Sequence, residues 1–226
     1  GMNILAIDTA AAFCSACVYD AQAAEEKGRA VLDLGKGHAE HIMDVIEKAL
    51  GQARLSFKEM DAIAVSVGPG SFTGLRVGIS AARGLALALK IPAIGVTTLE
   101  ALAAEARGAF PGRSVLCALG RAEPVAMAQF DAAGHCLDGP RLTSVENLVR
   151  IAREGRPLLV GDAAERIAGA ADEHFDIGSR AATSDILFYA RVAGSRPAAG
   201  EKPKPLYLRA PDAKPQTGFA VPLKGR

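Results

Sequence analysis

The sequence contains no tryptophan, and aromatic residues make up only 5% of its 226 positions. Its interior therefore has to be built from aliphatic side chains and alanine. Half of the residues are hydrophobic, which is enough for a sizeable core. A charge of one sign is missing too. Lys and Arg number 26 against 25 Asp and Glu, a net charge of +1, so the overall balance singles out neither a polyanion nor an acidic membrane as partner. No apolar run reads as a bilayer span. The N-terminus enters an apolar strand without the basic region of a secretory leader, so the expectation is a cytoplasmic protein with no membrane contact. Cysteine is sparse: Cys14, Cys17, Cys117 and Cys136. The pair Cys14-Ser-Ala-Cys17 has C-x-x-C spacing, but it falls in a predicted strand, Phe13 to Tyr19. Residues three apart on a strand point to opposite faces, and a second C-x-x-C is lacking, so buried thiols in a reducing compartment are expected.

What is present centres on Val65-Ser66-Val67-Gly68-Pro69-Gly70-Ser71-Phe72-Thr73-Gly74-Leu75-Arg76. The run Ala62 to Val67 reads as a short buried strand, Gly68-Pro69-Gly70 as a turn, and Ser71 as the cap of a helix reaching about Lys90, ahead of Pro92. Such a turn collects backbone N–H groups in one place, which suits an anion or a carboxylate. Gly74, Gly78, Ala82 and Ala86 lie on one four-residue ridge of that helix. Gly78 and Gly84 each cost roughly 1 kcal/mol relative to alanine in a helix interior, which implies a close approach by another backbone. Arg76, Ser80, Arg83 and Lys90 form only a thin polar stripe. At least part of this helix is expected to be an intermolecular face.

Before this stretch, the pattern predicts strands at Asn3–Ile7, Cys14–Tyr19 and Arg29–Leu34 as an antiparallel meander, then a helix from His38 to Leu50 ended by Gly51. Its apolar face is Ile42, Val45, Ile46 and Ala49. Leu55 to Glu59 reads as a short helical turn. After the central stretch come a strand at Ile91–Val96 and a helix opened by a capping box in Thr97-Thr98-Leu99-Glu100. The order βββαβαβα implies an α/β lobe of five mixed strands, residues 1–108. Pro111-Gly112 marks the boundary to a smaller lobe, 109–194. It has strands at Val115–Leu119, Val125–Phe130 and Leu158–Val160 and helices at Ser144–Glu154, from Ala163, and Thr183–Val192, the last capped by Thr183 or Ser184. A Pro-rich basic tail, 195–226, follows and is expected to dock through Leu206-Tyr207-Leu208.

The chemistry-bearing patterns are thin. The glycine turn fails the Walker pattern, because Gly74 is followed by Leu75 and a phosphate-binding lysine is lacking. Asp8 and Thr9, at the end of the first strand, could hold a metal–nucleotide complex. Ala10, Ala11 and Ala12 remove the groups that would wrap phosphates, so a degenerate site of Asp8, Thr9, Gly68 and Gly70 is expected, with Asp8 binding local backbone. His38 and His41 have a spacing that can ligate a metal but lack a third ligand nearby. They are read as helix-start histidines facing solvent or a partner. His135 and His174 sit in turn-like surroundings, and a Ser/His/Asp arrangement is not readable. The expectation is no catalytic residue, no metal and no cofactor.

Four segments in order, Ile4-Leu5-Ala6-Ile7-Asp8-Thr9, His38-Ala39-Glu40, Gly68 to Gly78 and Ile94-Gly95-Val96-Thr97-Thr98-Leu99, together with Leu206-Tyr207-Leu208-Arg209, resemble the glycoprotease-like TsaB (YeaZ) family of bacterial tRNA threonylcarbamoyladenosine biosynthesis. The G-P-G-S-F-T-G segment is the specific one. The resemblance implies a two-lobed fold of the actin, sugar-kinase and Hsp70 type (ASKHA) with the second lobe reduced. It also implies a non-catalytic subunit that activates the catalytic paralogue TsaD, with the ATPase TsaE completing the assembly and tRNA contacted through the complex. It implies a homodimer when the chain is alone. The expected interface, on the two helices after the H-S-E and G-P-G-S-F-T-G segments, comprises His38, His41, Ile42, Val45 and Ile46 on the first. On the second it comprises Leu75, Arg76, Gly78, Ile79, Ala82, Arg83 and Ala86. Gly78→Leu is then expected to abolish complex formation and leave the fold intact. The chain departs from the family at Ala10 in place of the serine of D-T-S and at Ala39 in H-S-E. In the second lobe a common D-A-R…E-V-Y stands as Leu119-Gly120-Arg121…Pro124-Val125-Ala126. Two other classes stay open: a glycoprotease-type metallopeptidase and a nucleotide-binding small-molecule kinase.

Overall fold

The computed structural model describes residues 1–196 and 200–208. Its first sheet is built from β1 (Asn3–Asp8), β2 (Phe13–Asp20), β3 (Glu25–Asp33), β4 (Ala62–Gly68) and β5 (Ala93–Thr97), in the order β3-β2-β1-β4-β5. The meander β1–β2–β3 is antiparallel, and β4 and β5 join in parallel. This is the predicted mixed sheet, with β1 at its centre and Ile4 to Asp8 all buried. The period-two alternation sorts β1 into two cores. Leu5 and Ile7 face α1 (His38–Ala53) and α2 (Phe72–Leu89) on one side, while Ile4 and Ala6 face the other. Cys14 and Cys17 fall in different cores for the same reason. Burial pushes the Cys14 thiol up to about 11 and that of Cys17 higher still, so both stay protonated.

The second sheet repeats the plan in shorter form. β6 (Val115–Leu119), β7 (Val125–Phe130) and β8 (Cys136–Thr143) make an antiparallel meander, and β9 (Leu158–Val160) lies parallel to β6, in the order β8-β7-β6-β9. The pattern reading had no strand at β8, because Gly139-Pro140 and alternating charges interrupt its apolar signal. Helices α4 (Val145–Gly155) and α5 (Ala164–Ala171) cover one face of this sheet. The other face packs on α3 (Thr98–Ala109), whose Leu99, Leu102, Ala103 and Ala106 join Val115, Cys117 and Leu158 in one core. The two lobes are therefore sewn together by α3. Thr97 and Glu100 close its capping box as expected.

Three expectations need correction. The last helix, α6 (Ile186–Gly194), falls within the residues assigned to the smaller lobe, but it packs on the first sheet. Its Ile186, Tyr189, Ala190 and Ala193 meet Ile4, Ala6 and Val96 there. Its cap is Asp185, which accepts from the Leu187 N–H at 2.9 Å, and not Thr183 or Ser184. One helix, α2, does reach the length and composition of a bilayer span. Its buried ridge lies on the sheet, and Arg76 and Arg83 stand exposed on its outer side.

After α6 the described residues 200–208 form a strap. Pro203 is buried beside Gly95, and the Leu206 N–H donates to Val67 O at 2.9 Å. Arg209 and the rest of the basic tail lie outside the described residues.

Candidate functional site

The C-terminal ends of β1 and β4 meet at the start of α2. Thr9 Oγ1 donates to Gly74 O at 2.6 Å and accepts from the Gly78 N–H at 3.0 Å. This hydroxyl therefore seats α2 against the sheet. It also explains the glycines: a Cβ at Gly78 would lie 2.5 Å from Thr9 Oγ1, one at Gly74 2.4 Å from Thr9 O, and one at Gly70 2.6 Å from Ala10 O. Gly68 has φ +98°, which L side chains rarely adopt. The close approach expected at Gly78 and Gly84 is present only at Gly78, where the approaching group is the protein's own Thr9 hydroxyl and not a foreign backbone; a Cβ at Gly84 would meet nothing within 4 Å.

Two of the donors expected to greet an anion are occupied as well. The Ser71 N–H donates to Ala10 O at 2.7 Å, and Ser71 Oγ accepts from the Gly74 N–H, the cap predicted for it. Along the β1–β2 turn, Ala11 O accepts from His38 Nε2 at 2.8 Å, so that nitrogen carries the ring proton. Ala12 O accepts from the N–H groups of Leu34 and Gly35.

Asp8 is buried. Its Oδ1 accepts from the Ala10 N–H at 2.9 Å, and its Oδ2 from Thr183 Oγ1 at 2.7 Å. With that hydroxyl proton committed, Tyr189 OH donates to Thr183 Oγ1 at 2.6 Å. Burial raises the Asp8 carboxyl above the ordinary carboxylate range, against the lowering effect of the Thr183 and Ala10 bonds. The local role expected for Asp8 is present, but Thr183 and Tyr189 were missed. The available signal was a tyrosine set among the apolar residues of α6, since a buried phenol needs a partner.

Between the lobes lies a cleft of about 780 Å³. Ala10 to Phe13 and Pro69 to Ser71 line one side, and Leu119 to Arg121, Asp162 and Ala181 to Thr183 the other. Its polar groups are few, and Asp162 is held by the Gly120 N–H at 2.8 Å. Among the described residues, no three His, Cys, Asp or Glu side chains converge as a metal site would need.

The interface residues expected on α1 and α2 divide sharply. Ile42, Val45, Ile46, Leu75, Gly78, Ile79, Ala82, Ala86 and His38 are buried in the chain's own core or against its turn. The physical reason is that the first sheet needs cover on this face, and the ridges with the smallest side chains let the helices lie closest to it. Of the expected residues, His41 is half-buried, and Arg76 and Arg83 are exposed. The surface the two helices offer outward keeps only Arg76 and Arg83 of the expected residues: it is Ala39, Glu40, Met43, Asp44, Glu47 and Lys48 on α1, and Thr73, Arg76, Ser80, Arg83, Gly84, Leu87 and Ala88 on α2. Leu87 is 80% exposed, and a Cβ at Gly84 would meet nothing within 4 Å.

A family model described as TsaD, tRNA N6-adenosine threonylcarbamoyltransferase, matches residues 32–192. A tRNA threonylcarbamoyladenosine biosynthesis protein TsaB from Buchnera aphidicola (subsp. Schizaphis graminum) is 38% identical over 120 residues, 51% of this chain and 54% of that protein. The TsaB of Escherichia coli K12 is 39% identical over 103 residues, 45% of this chain and 43% of that protein. The chain thus spans about half the length of these curated relatives. An uncharacterized protein of Mycobacterium tuberculosis H37Rv is 31% identical over 216 residues, 94% of each chain. In fold, the chain is similar to YeaZ from Pseudomonas aeruginosa, with a TM-score of 0.77 at 22% identity over 92% of this chain and 100% of that one.

Proposed function

This chain belongs to the TsaD family of tRNA N6-adenosine threonylcarbamoyltransferases, and from that membership we propose that it is the family's non-catalytic subunit. In this reading it works in tRNA N6-threonylcarbamoyladenosine synthesis by binding and activating a catalytic TsaD paralogue, alongside the ATPase TsaE. Two copies pair through the same surface when TsaD is absent, and tRNA is reached through the complex. The observation that carries the reading is the state of the β1 end. Asp8 is sealed behind Thr183 and the Ala10 amide, and Thr9 is bound into α2. The side chains that would handle a phosphate or a metal there serve the fold.

The contact surface, moved outward from the residues first expected, is the exposed face of α1 and α2. It joins an α1 face with three carboxylates, Glu40, Asp44 and Glu47, and one cation, Lys48, to the cations Arg76 and Arg83 on α2, and the two helices pack side by side. Such a face is complementary to itself across a two-fold axis, as well as to a related subunit. Gly84, Ala88 and Thr73 allow a partner's backbone to come close. Co-expression with TsaD and affinity capture tests this. Gly84→Leu is expected to lose capture with a melting temperature no lower than the wild type's, and capture at wild-type affinity would refute the surface. Threonylcarbamoyl transfer by the purified chain alone would refute the non-catalytic assignment.

A further inference from the structure

The cleft between the lobes has apolar walls. Ala10 to Phe13 line one side, and Leu119, Ala126 and Leu142 stand on the other. Phe13 is 40% exposed, a large ring without cover among the described residues. The polar side chains of the lining are mostly committed to the fold. Thr183 donates to Asp8, Ser71 Oγ accepts from the Gly74 N–H, and Asp162 accepts from the Gly120 N–H, which leaves Arg121. None of the lining residues belongs to the outward faces of α1 and α2. At about 780 Å³ the cleft is as large as pockets that enclose a ligand.

The strap leads the chain to this cleft. Pro203 lies beside Gly95 on β5, the Leu206 N–H donates to Val67 O on β4, and Leu208 packs on the core that α3 shares with the second sheet. That core contains Leu119 and Ala126, with Leu142 at its margin, the same three residues that form the apolar part of the cleft's second wall. Residues 209–226 lie outside the described residues. In sequence, residues 209–218 carry no apolar side chain larger than proline, and Phe219-Ala220-Val221-Pro222-Leu223 then forms a single apolar run. Extended, residues 209–218 span up to about 35 Å, far more than the width of a cleft of that volume.

We propose that the run of residues 219–223 occupies the cleft of its own chain, its apolar side chains covering Phe13 and Leu142. Burial of apolar surface on both sides drives the contact, and the polar groups already bonded in the walls ask nothing of the occupant. The chain's own segment is favoured over a free apolar ligand or a second copy because a short connection holds it at an effective concentration in the millimolar range. The segment closes the cleft, and an occupant from outside has to displace it. The inference depends on neither TsaD nor tRNA.

The test uses the absence of tryptophan. Phe219→Trp in the full chain introduces one indole at the proposed contact. Its emission is expected to be blue-shifted, and its quenching by acrylamide several-fold weaker than that of free N-acetyltryptophanamide, at every protein concentration. Ala12→Arg, added to this variant, puts a charge on an exposed position of the cleft wall. It should move the emission to the red and restore quenching, and Phe13→Ser should do the same by removing the apolar contact. Circular dichroism identical to the parent's shows that the indole has been displaced and the fold kept. An indole as quenchable in the Phe219→Trp chain as in the free compound would overturn the proposal. An indole that stays buried in both cleft variants would also overturn it and place the segment elsewhere. Burial that is lost on dilution would overturn it in favour of a second copy.

Discussion

At the residue scale, Asp8 is a carboxyl that the fold buries. Its carboxyl titrates above its unfolded value of 3.8 because burial disfavours the charge. Protonation is therefore favoured in the folded state: this group's contribution to stability is full below the unfolded value and is lost as pH rises through the folded one. Asp8→Asn should remove that loss, because an amide keeps an acceptor for the Ala10 N–H and can donate to Thr183 Oγ1. Urea unfolding between pH 4 and 8 should show the variant gaining on the wild type as pH rises. A variant less stable than wild type at pH 7 would contradict the account. Thr9→Val, nearly the same shape, leaves Gly74 O and the Gly78 N–H without the hydroxyl. It should cost roughly 1–3 kcal/mol by the same measurement.

At the element scale, two of the three glycines of α2, Gly78 and Gly84, have opposite roles. Gly78→Ala drives a methyl group into Thr9 Oγ1 and should destabilise the chain by roughly 1–3 kcal/mol, as overpacking does. Gly78→Leu is therefore a folding variant, contrary to the expectation from sequence that it would spare the fold. Gly84→Ala points its methyl into open space and should stabilise the helix by up to about 1 kcal/mol, read as a raised midpoint in thermal unfolding. Sequence alone could not separate the two. Small residues occur on both the 74-78-82-86 ridge and the neighbouring one, and helical periodicity does not say which faces inward. The choice is made by a hydroxyl in the turn after β1, 65 residues away from Gly74.

At the scale of the whole molecule, α3 belongs to both lobes and α6 returns from the second to the first. Leu102 is fully buried among residues of the second sheet. Leu102→Ala should cost roughly 2–5 kcal/mol. If the lobes form one cooperative unit, hydrogen exchange should show protection falling equally in β1 and β6. Loss confined to β6 would mean that the lobes unfold separately. The exposed faces of α1 and α2 lie outside this shared core, so their variants should change binding without lowering stability.

The amino-acid sequence by itself determined the order of elements in the first lobe, the five-stranded mixed sheet, the caps at Ser71 and Thr97 and the opposed faces of Cys14 and Cys17. Each of these follows from spacing and turn chemistry within a few residues. The family, too, was legible in the Gly68–Gly78 segment. Tertiary structure decided what depends on distant partners. It set which ridge of α2 is inside, the sealing of Asp8 by Thr183 and Tyr189, and the burial of His38 against Ala11 O. It also set the return of α6 to the first sheet and the cleft between the lobes. Burial is a property of what a side chain meets, and those neighbours come from segments far apart in the chain.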